Sequence, residues 1–135
     1  GRWLAYESNE TGRTEVFLRP FPSTSAGKWQ VSTDGGVAPL WSRNGRELFY
    51  VNADRRLTAV AVTPGAEPRL GEHVTLFPLS ERHYLGQAEF YTPFDVAPDG
   101  RFLMARLVSH GTGEDLPLVV VEGMLTELER KAGSR

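Results

Sequence analysis

The chain has 135 residues, a formal charge of −2 and no cysteine, and is 40% hydrophobic and 24% charged. That length suits one ordinary domain with a modest core. The interspersed acids and bases leave no basic run to track a phosphate backbone, which argues against nucleic acid as a partner, and the absent thiols exclude disulfides, thiolate metal sites and cysteine nucleophiles.

In chain order, short runs rich in β-branched and aromatic residues predict strands at 2–8, 14–21, 28–32, 38–42, 47–52, 56–63, 73–79, 90–97, 101–108 and 116–122. Between them lie NETG, TDGG, RNG, NADR, PGAEP, APDG and HGTGED, clusters whose Gly, Asn, Asp and Pro accept positive φ or preset turn dihedrals. Strands this short with turns this frequent predict an antiparallel all-β protein. A single segment reads as helix, 123–132, where Leu125, Leu128 and Ala132 follow helical spacing and Glu127 can pair with Lys131. No stretch approaches the roughly 18 apolar residues of a membrane-spanning helix, and the first residues lack a signal-peptide layout. Direct membrane insertion is therefore not expected, and any targeting segment is expected outside this sequence.

Aligned on their turn glycines, GRELFY at 45–50, GRWLAY at 1–6 and GRFLMA at 100–105 share Gly-Arg-x-Leu. Gly45 follows Gly1 by 44 positions and Gly100 follows Gly45 by 55. The spacing approximates the 40–45 residue period of a four-stranded propeller blade, with an insertion of about 11 residues at 78–89 in the second interval. The Asn44-Gly45 and Asp99-Gly100 pairs predict tight hairpins. Beyond the turn, Leu48 and Tyr50 should lie on one face of the sheet and Phe49 on the other, with both faces buried.

The segments WSRNGRELFY and APDGRFLM resemble the WD-like propeller repeat of the TolB-like family. More narrowly, the order from WLAYESNETGRTEVFLRPFP through KWQVSTDGG and DVAPDGRFLM to LPLVVV is similar to the C-terminal blades of extracytoplasmic propellers fused to bacterial serine/threonine kinases. Arg43-Asn44 stands where that pattern commonly has Pro-Asp, Val96-Ala97 replaces Trp-Ser, and Glu122-Gly123 replaces a longer apolar lead into the helix. The first two departures preserve the turn chemistry. The resemblance implies a single partial propeller over 1–135, with a blade remnant at 2–32, a blade at 38–77, a blade at 90–122 and the terminal helix. About three blades is fewer than the four to eight of a closed propeller, so the expectation is the C-terminal portion of a larger one, self-associating through open blade edges. It also implies an extracytoplasmic or periplasmic location.

No nucleophile elbow of the form Gly-x-Ser-x-Gly occurs, and His73, His83 and His110 are too scattered for a metal motif and read as exposed loop residues. GTGEDL at 111–116 lacks the third glycine and the following helix of a phosphate loop. Neither Glu114 with Asp115 nor Glu7 with Glu10 is placed across a substrate by anything in the sequence, and the Asn9-Glu10-Thr11 sequon is a short pattern that arises by chance. Trp3, Trp29, Trp41, Phe17, Phe49, Phe94 and Phe102 fit strand packing better than a stacking surface.

Parity of the connections is more informative. In an up-and-down sheet alternate loops share an edge, which groups 9–13, 33–37, 53–55, 78–89 and 109–115 and separates them from the tight Asn-Gly and Asp-Gly turns. Arg13, Arg55, Arg82, His83, Tyr84 and Glu114 on the longer loops form the expected partner-binding surface. The expected function is non-catalytic binding or sensing of a protein or peptide, with no cofactor or metal and with any kinase activity outside these residues. Alternatives are the propeller portion of a peptidase or other hydrolase, and a self-assembling structural segment.

Overall fold

The computed structural model describes residues 2–83, 85 and 92–106. Among these the protein is all-β and antiparallel, with nine strands and one short 3₁₀ turn at Thr24–Ala26. The expected strand at 116–122, the helix at 123–132, and Tyr84, His110 and Glu114 lie outside the described residues. Among the described residues no helix is long and apolar enough to cross a membrane. The chain divides into two compact units, Gly1–Pro78 and Leu79–Arg135.

The first unit holds two meanders. β1 (Trp3–Ser8), β2 (Glu15–Pro20) and β3 (Trp29–Gln30) make a three-stranded sheet in that order, and β4 (Gly36–Trp41), β5 (Glu47–Asn52), β6 (Arg56–Thr63) and β7 (Arg69–Pro78) make a four-stranded one. Every neighbour is a chain neighbour, because each connection is a turn too short for a crossover. β5 and β6 keep the bounds read from sequence, since they are continuous apolar runs stopped by Asn-Gly, by Asp-Arg and by Pro-Gly. β7 begins at Arg69 rather than near His73, because β6 offers its whole length for pairing, from Arg56↔Pro78 to Thr63↔Arg69.

The two sheets bury one face of each against the other. Val16, Leu18 and Val31 of the first sheet form one cluster with Leu48, Tyr50, Val60 and Val62 of the second, flanked by Ala5, Trp29, Trp41 and Leu70. Alternation dictates that Phe49 and Val51 point to the opposite face, and both are 1% exposed. A strand buried on both faces has no wet side, which is why Leu48–Val51 reads as an unbroken apolar run. Each such side chain contributes roughly 1.5–3 kcal/mol by leaving water, and truncating Leu48 to Ala would cost about 3 kcal/mol once the cavity is included.

In the second unit β8 (Phe94–Val96) pairs with β9 (Phe102–Met104), with Phe94 opposite Met104. The turn joining them repeats the turn between β4 and β5. The Gly45 N–H donates to the Ser42 carbonyl at 2.9 Å, as the Gly100 N–H does to the Ala97 carbonyl at 2.9 Å. The Asn44 Oδ1 accepts the Arg46 N–H at 2.9 Å, as the Asp99 Oδ1 accepts the Arg101 N–H at 3.2 Å. Gly45 and Gly100 have φ of 69° and 83°, in the left-handed region that the turn requires and a side chain resists. The sequence match around these two glycines is thus a match of backbone and side-chain hydrogen bonds.

Candidate functional site: a polar cleft on the loop edge of the first unit

Three connections of the first unit meet on one edge: the β1–β2 loop, the β3–β4 loop and the β5–β6 loop. What fixes them is a buried carboxylate. Glu15 is the first residue of β2, is 2% exposed, and accepts hydrogen bonds from three groups on the two neighbouring loops. The Arg13 Nε donates to its Oε1 at 3.0 Å and the Ser32 hydroxyl to its Oε2 at 2.5 Å. The Gly35 N–H reaches both oxygens, at 3.0 and 3.1 Å. Burial alone would push this carboxyl up, but the hydrogen bonds from Ser32, Gly35 and Arg13, with the Arg13 charge, outweigh it and hold the group below its ordinary value.

Further bonds tie the same loops. The Val16 N–H donates to the Ser32 Oγ at 2.8 Å and the Gly36 N–H to the Thr14 carbonyl at 3.0 Å. Arg13 also donates through Nη2 to the Thr33 carbonyl at 2.5 Å and lies 3.8 Å from the Asp34 carboxylate. Gly36 permits this closeness, since a Cβ there would stand 2.4 Å from the Ser32 Oγ.

Beside this network opens a cleft of about 420 Å³ between the β3–β4 loop, the β5–β6 loop and the inner face of β5, β6 and β7. Its floor carries Tyr50 and Thr58, its far wall His73 and Thr75, and its rim Asp34 and Asp54. The Tyr50 hydroxyl and the His73 Nδ1 are 2.9 Å apart. Burial raises the Tyr50 hydroxyl, with the Glu15 charge adding to it, and burial lowers His73, so near neutral pH both are uncharged. His73 is exposed, as the sequence suggests, but it stands on β7 and not in a loop.

Of the sequence-predicted binding residues, Arg13 and Arg55 lie on this edge. Arg13 is engaged by Glu15 and Thr33. Arg55 holds φ of 54° in the β5–β6 loop, where its N–H donates to the Asn52 carbonyl at 3.0 Å. Arg82 and His83 belong to the second unit. His83 forms an isolated bridge with Arg106, and its Nδ1 accepts the Ser80 N–H at 3.0 Å with the Ser80 hydroxyl at 2.9 Å. The Ser80–His83 contact is therefore local to one turn, and the ring nitrogen that would activate the hydroxyl is already occupied by the Ser80 amide.

Glu15, Ser32, Asp34 and Asp54 are not singled out by sequence reasoning, and Tyr50 and His73 enter it only as a core residue and an exposed one. The available sequence signal was an acid heading an apolar run, Glu15 before Val16-Phe17-Leu18, which by itself does not name its partners. Among the described residues no group of three or more His, Cys, Asp or Glu is placed to hold a metal ion. The aromatic residues pack as expected: Phe17, Phe49, Phe94 and Phe102 are buried, and Trp3 meets Trp29 edge-on at 5.2 Å.

Comparison with protein-family models, with characterised proteins and with solved structures finds no match. The likeness to TolB-like repeats rests on the motif residues alone.

Proposed function

We propose that the chain is a segment of a TolB-like β-propeller, with the two meanders of the first unit as consecutive blades, and that it is a non-catalytic module binding a protein or peptide through its loop edge. The observation that carries this reading is the polar cleft between the β3–β4 and β5–β6 loops, with the β1–β2 loop fastened beside it through Arg13 and Glu15. Consecutive meanders stacked through apolar faces, and a turn whose hydrogen bonds recur at Gly45 and Gly100, support the repeat architecture. A preformed edge of loops on a rigid sheet is the usual location for recognition, because the loops vary while the strands fix their geometry. By resemblance the module is extracytoplasmic and self-associates through open blade edges, which sedimentation velocity tests: a single stable monomer would contradict the self-association.

Selection of a random peptide library on the purified chain tests the binding. Binders that compete for the loop edge, and that lose affinity on changes at Asp34 or Asp54 but not at Asn44 on the opposite edge, are the expected result. A library yielding no binder sensitive to the loop edge would overturn the reading.

A further inference from the structure

Within the binding reading above, on which this inference rests, we propose that the cleft receives the cationic end of a lysine or arginine side chain from the partner peptide. The rim supplies two carboxylates from different loops. Asp34 has a side chain that is 98% exposed, and its contact with Arg13, at 3.8 Å, is the longest that Arg13 makes. The Asp54 carboxylate has no hydrogen-bond or ion-pair partner among the described residues, its backbone N–H alone being engaged, by the Asn52 Oδ1 at 3.1 Å.

The cation in contact with Asp34 is already committed. Arg13 directs Nε to Glu15 and Nη2 to the Thr33 carbonyl, and its closer ion pair is with the buried carboxylate, at 3.0 Å, against 3.8 Å to Asp34. Below the rim the lining is uncharged and rich in acceptors. The Tyr50 and Thr58 oxygens lie on the floor, Thr75 on the wall, and the neutral His73 ring beside them. Glu15 stands behind that floor, close enough for its charge to help raise the Tyr50 hydroxyl. A cleft with acidic lips, a hydroxyl floor and negative potential behind it attracts cations and repels anions.

Size and shape narrow the class. About 420 Å³ is at the small end of ligand pockets, which run from roughly 300 to 1,000 Å³. That volume admits one long side chain rather than a folded ligand. A guanidinium or ammonium on a flexible stem can reach both lips while its methylenes lie against Val31 and the Tyr50 ring.

The test uses the full chain, labelled with ¹⁵N, titrated with Ac-Gly-Gly-Arg-Gly-Gly-NH2, with its Lys and Gln counterparts, and with spermidine. The account predicts saturable shifts at the Gly35, Asp54 and Thr75 amides with the Arg and Lys peptides, and at least fivefold weaker binding of the Gln peptide. Asp34→Asn and Asp54→Asn are exposed changes expected to leave the spectrum dispersed. Each should weaken the Arg peptide about threefold, and the pair about tenfold. Equal affinity for Arg and Gln, shifts confined to another surface, or indifference to both substitutions would overturn the proposal; saturation by spermidine without the peptides would overturn the peptide source. If library-selected peptides bind the loop edge but carry no basic residue, this inference falls while the binding reading stands. If no peptide binds that edge, both fall.

Discussion

The tight-turn edge and the loop edge of the first unit handle their polar groups in opposite ways. At the tight-turn edge Asn44 bonds within two residues of itself: its Oδ1 accepts the Arg46 N–H at 2.9 Å and the Ser42 hydroxyl at 2.8 Å. At the loop edge the bonds run far along the chain. Glu15 takes the Gly35 N–H from 20 positions away and Arg13 reaches the Thr33 carbonyl across the same distance. Local bonds close one hairpin and leave the neighbouring sheet untouched. Long-range bonds fasten separate loops into one surface, and with Glu15 2% exposed they do so where water cannot substitute for a lost partner. The first edge shapes a turn; the second can shape a site.

Removing the Glu15 carboxylate should separate the edges most. Glu15→Ala leaves the Ser32 hydroxyl, the Gly35 N–H and part of Arg13 without an acceptor, and is expected to cost about 3 kcal/mol. In urea the midpoint should drop with little change in slope. The same group gives an acid-sensitive component. Its folded pKa lies below the ordinary 4.5, so the unfolded chain takes up the proton first. The stabilisation is complete above that ordinary value and is lost as pH falls through the folded one. The stability difference between the wild type and Glu15→Gln should therefore shrink below about pH 4.5; a difference independent of pH would contradict the network.

Next in size is Gly36→Ala. A Cβ at 2.4 Å from the Ser32 Oγ and 2.7 Å from its Cβ forces the β3–β4 loop off Glu15, at a cost of about 2 kcal/mol by thermal unfolding. At the opposite edge Asn44→Ala should cost about 1 kcal/mol, the usual value of a local side-chain bond to backbone, and should leave the amide shifts of residues 33–35 unchanged. The smallest effect is at Arg101, whose ion pair with Asp99 at 2.7 Å lies with both side chains more than half exposed. Arg101→Ala should stay within about 0.5 kcal/mol of the wild type.

The same contrast governs how much was legible in the sequence. The Asn44-Gly45 and Asp99-Gly100 turns, and the alternation of Leu48, Phe49 and Tyr50, are set by residues within one hairpin, and their spacing displays them. The edge grouping of 9–13, 33–37 and 53–55 was legible too, because parity follows from a meander. Glu15 was not, since nothing within several residues of it announces Ser32 or Gly35. The start of β7 was not legible, because Arg69–Glu72 carries no strand pattern of its own and is drawn into the sheet only by pairing with β6. The positive φ of 55° at Ala38 was likewise invisible. Ala has no preference for it, and it marks a bulge whose N–H donates to the Glu7 carboxylate at 2.7 Å, 31 positions away.

The most direct test of the buried carboxylate as the organiser of the loop edge is amide hydrogen exchange at Gly35. With both oxygens of Glu15 as acceptors, this N–H should exchange far more slowly than the neighbouring Asp34 N–H on the exposed loop, and should lose that protection in Glu15→Gln at a pH and temperature where the variant remains folded. A Gly35 amide that exchanges as fast as Asp34 in the wild type, or that stays equally protected in the variant, would contradict the account.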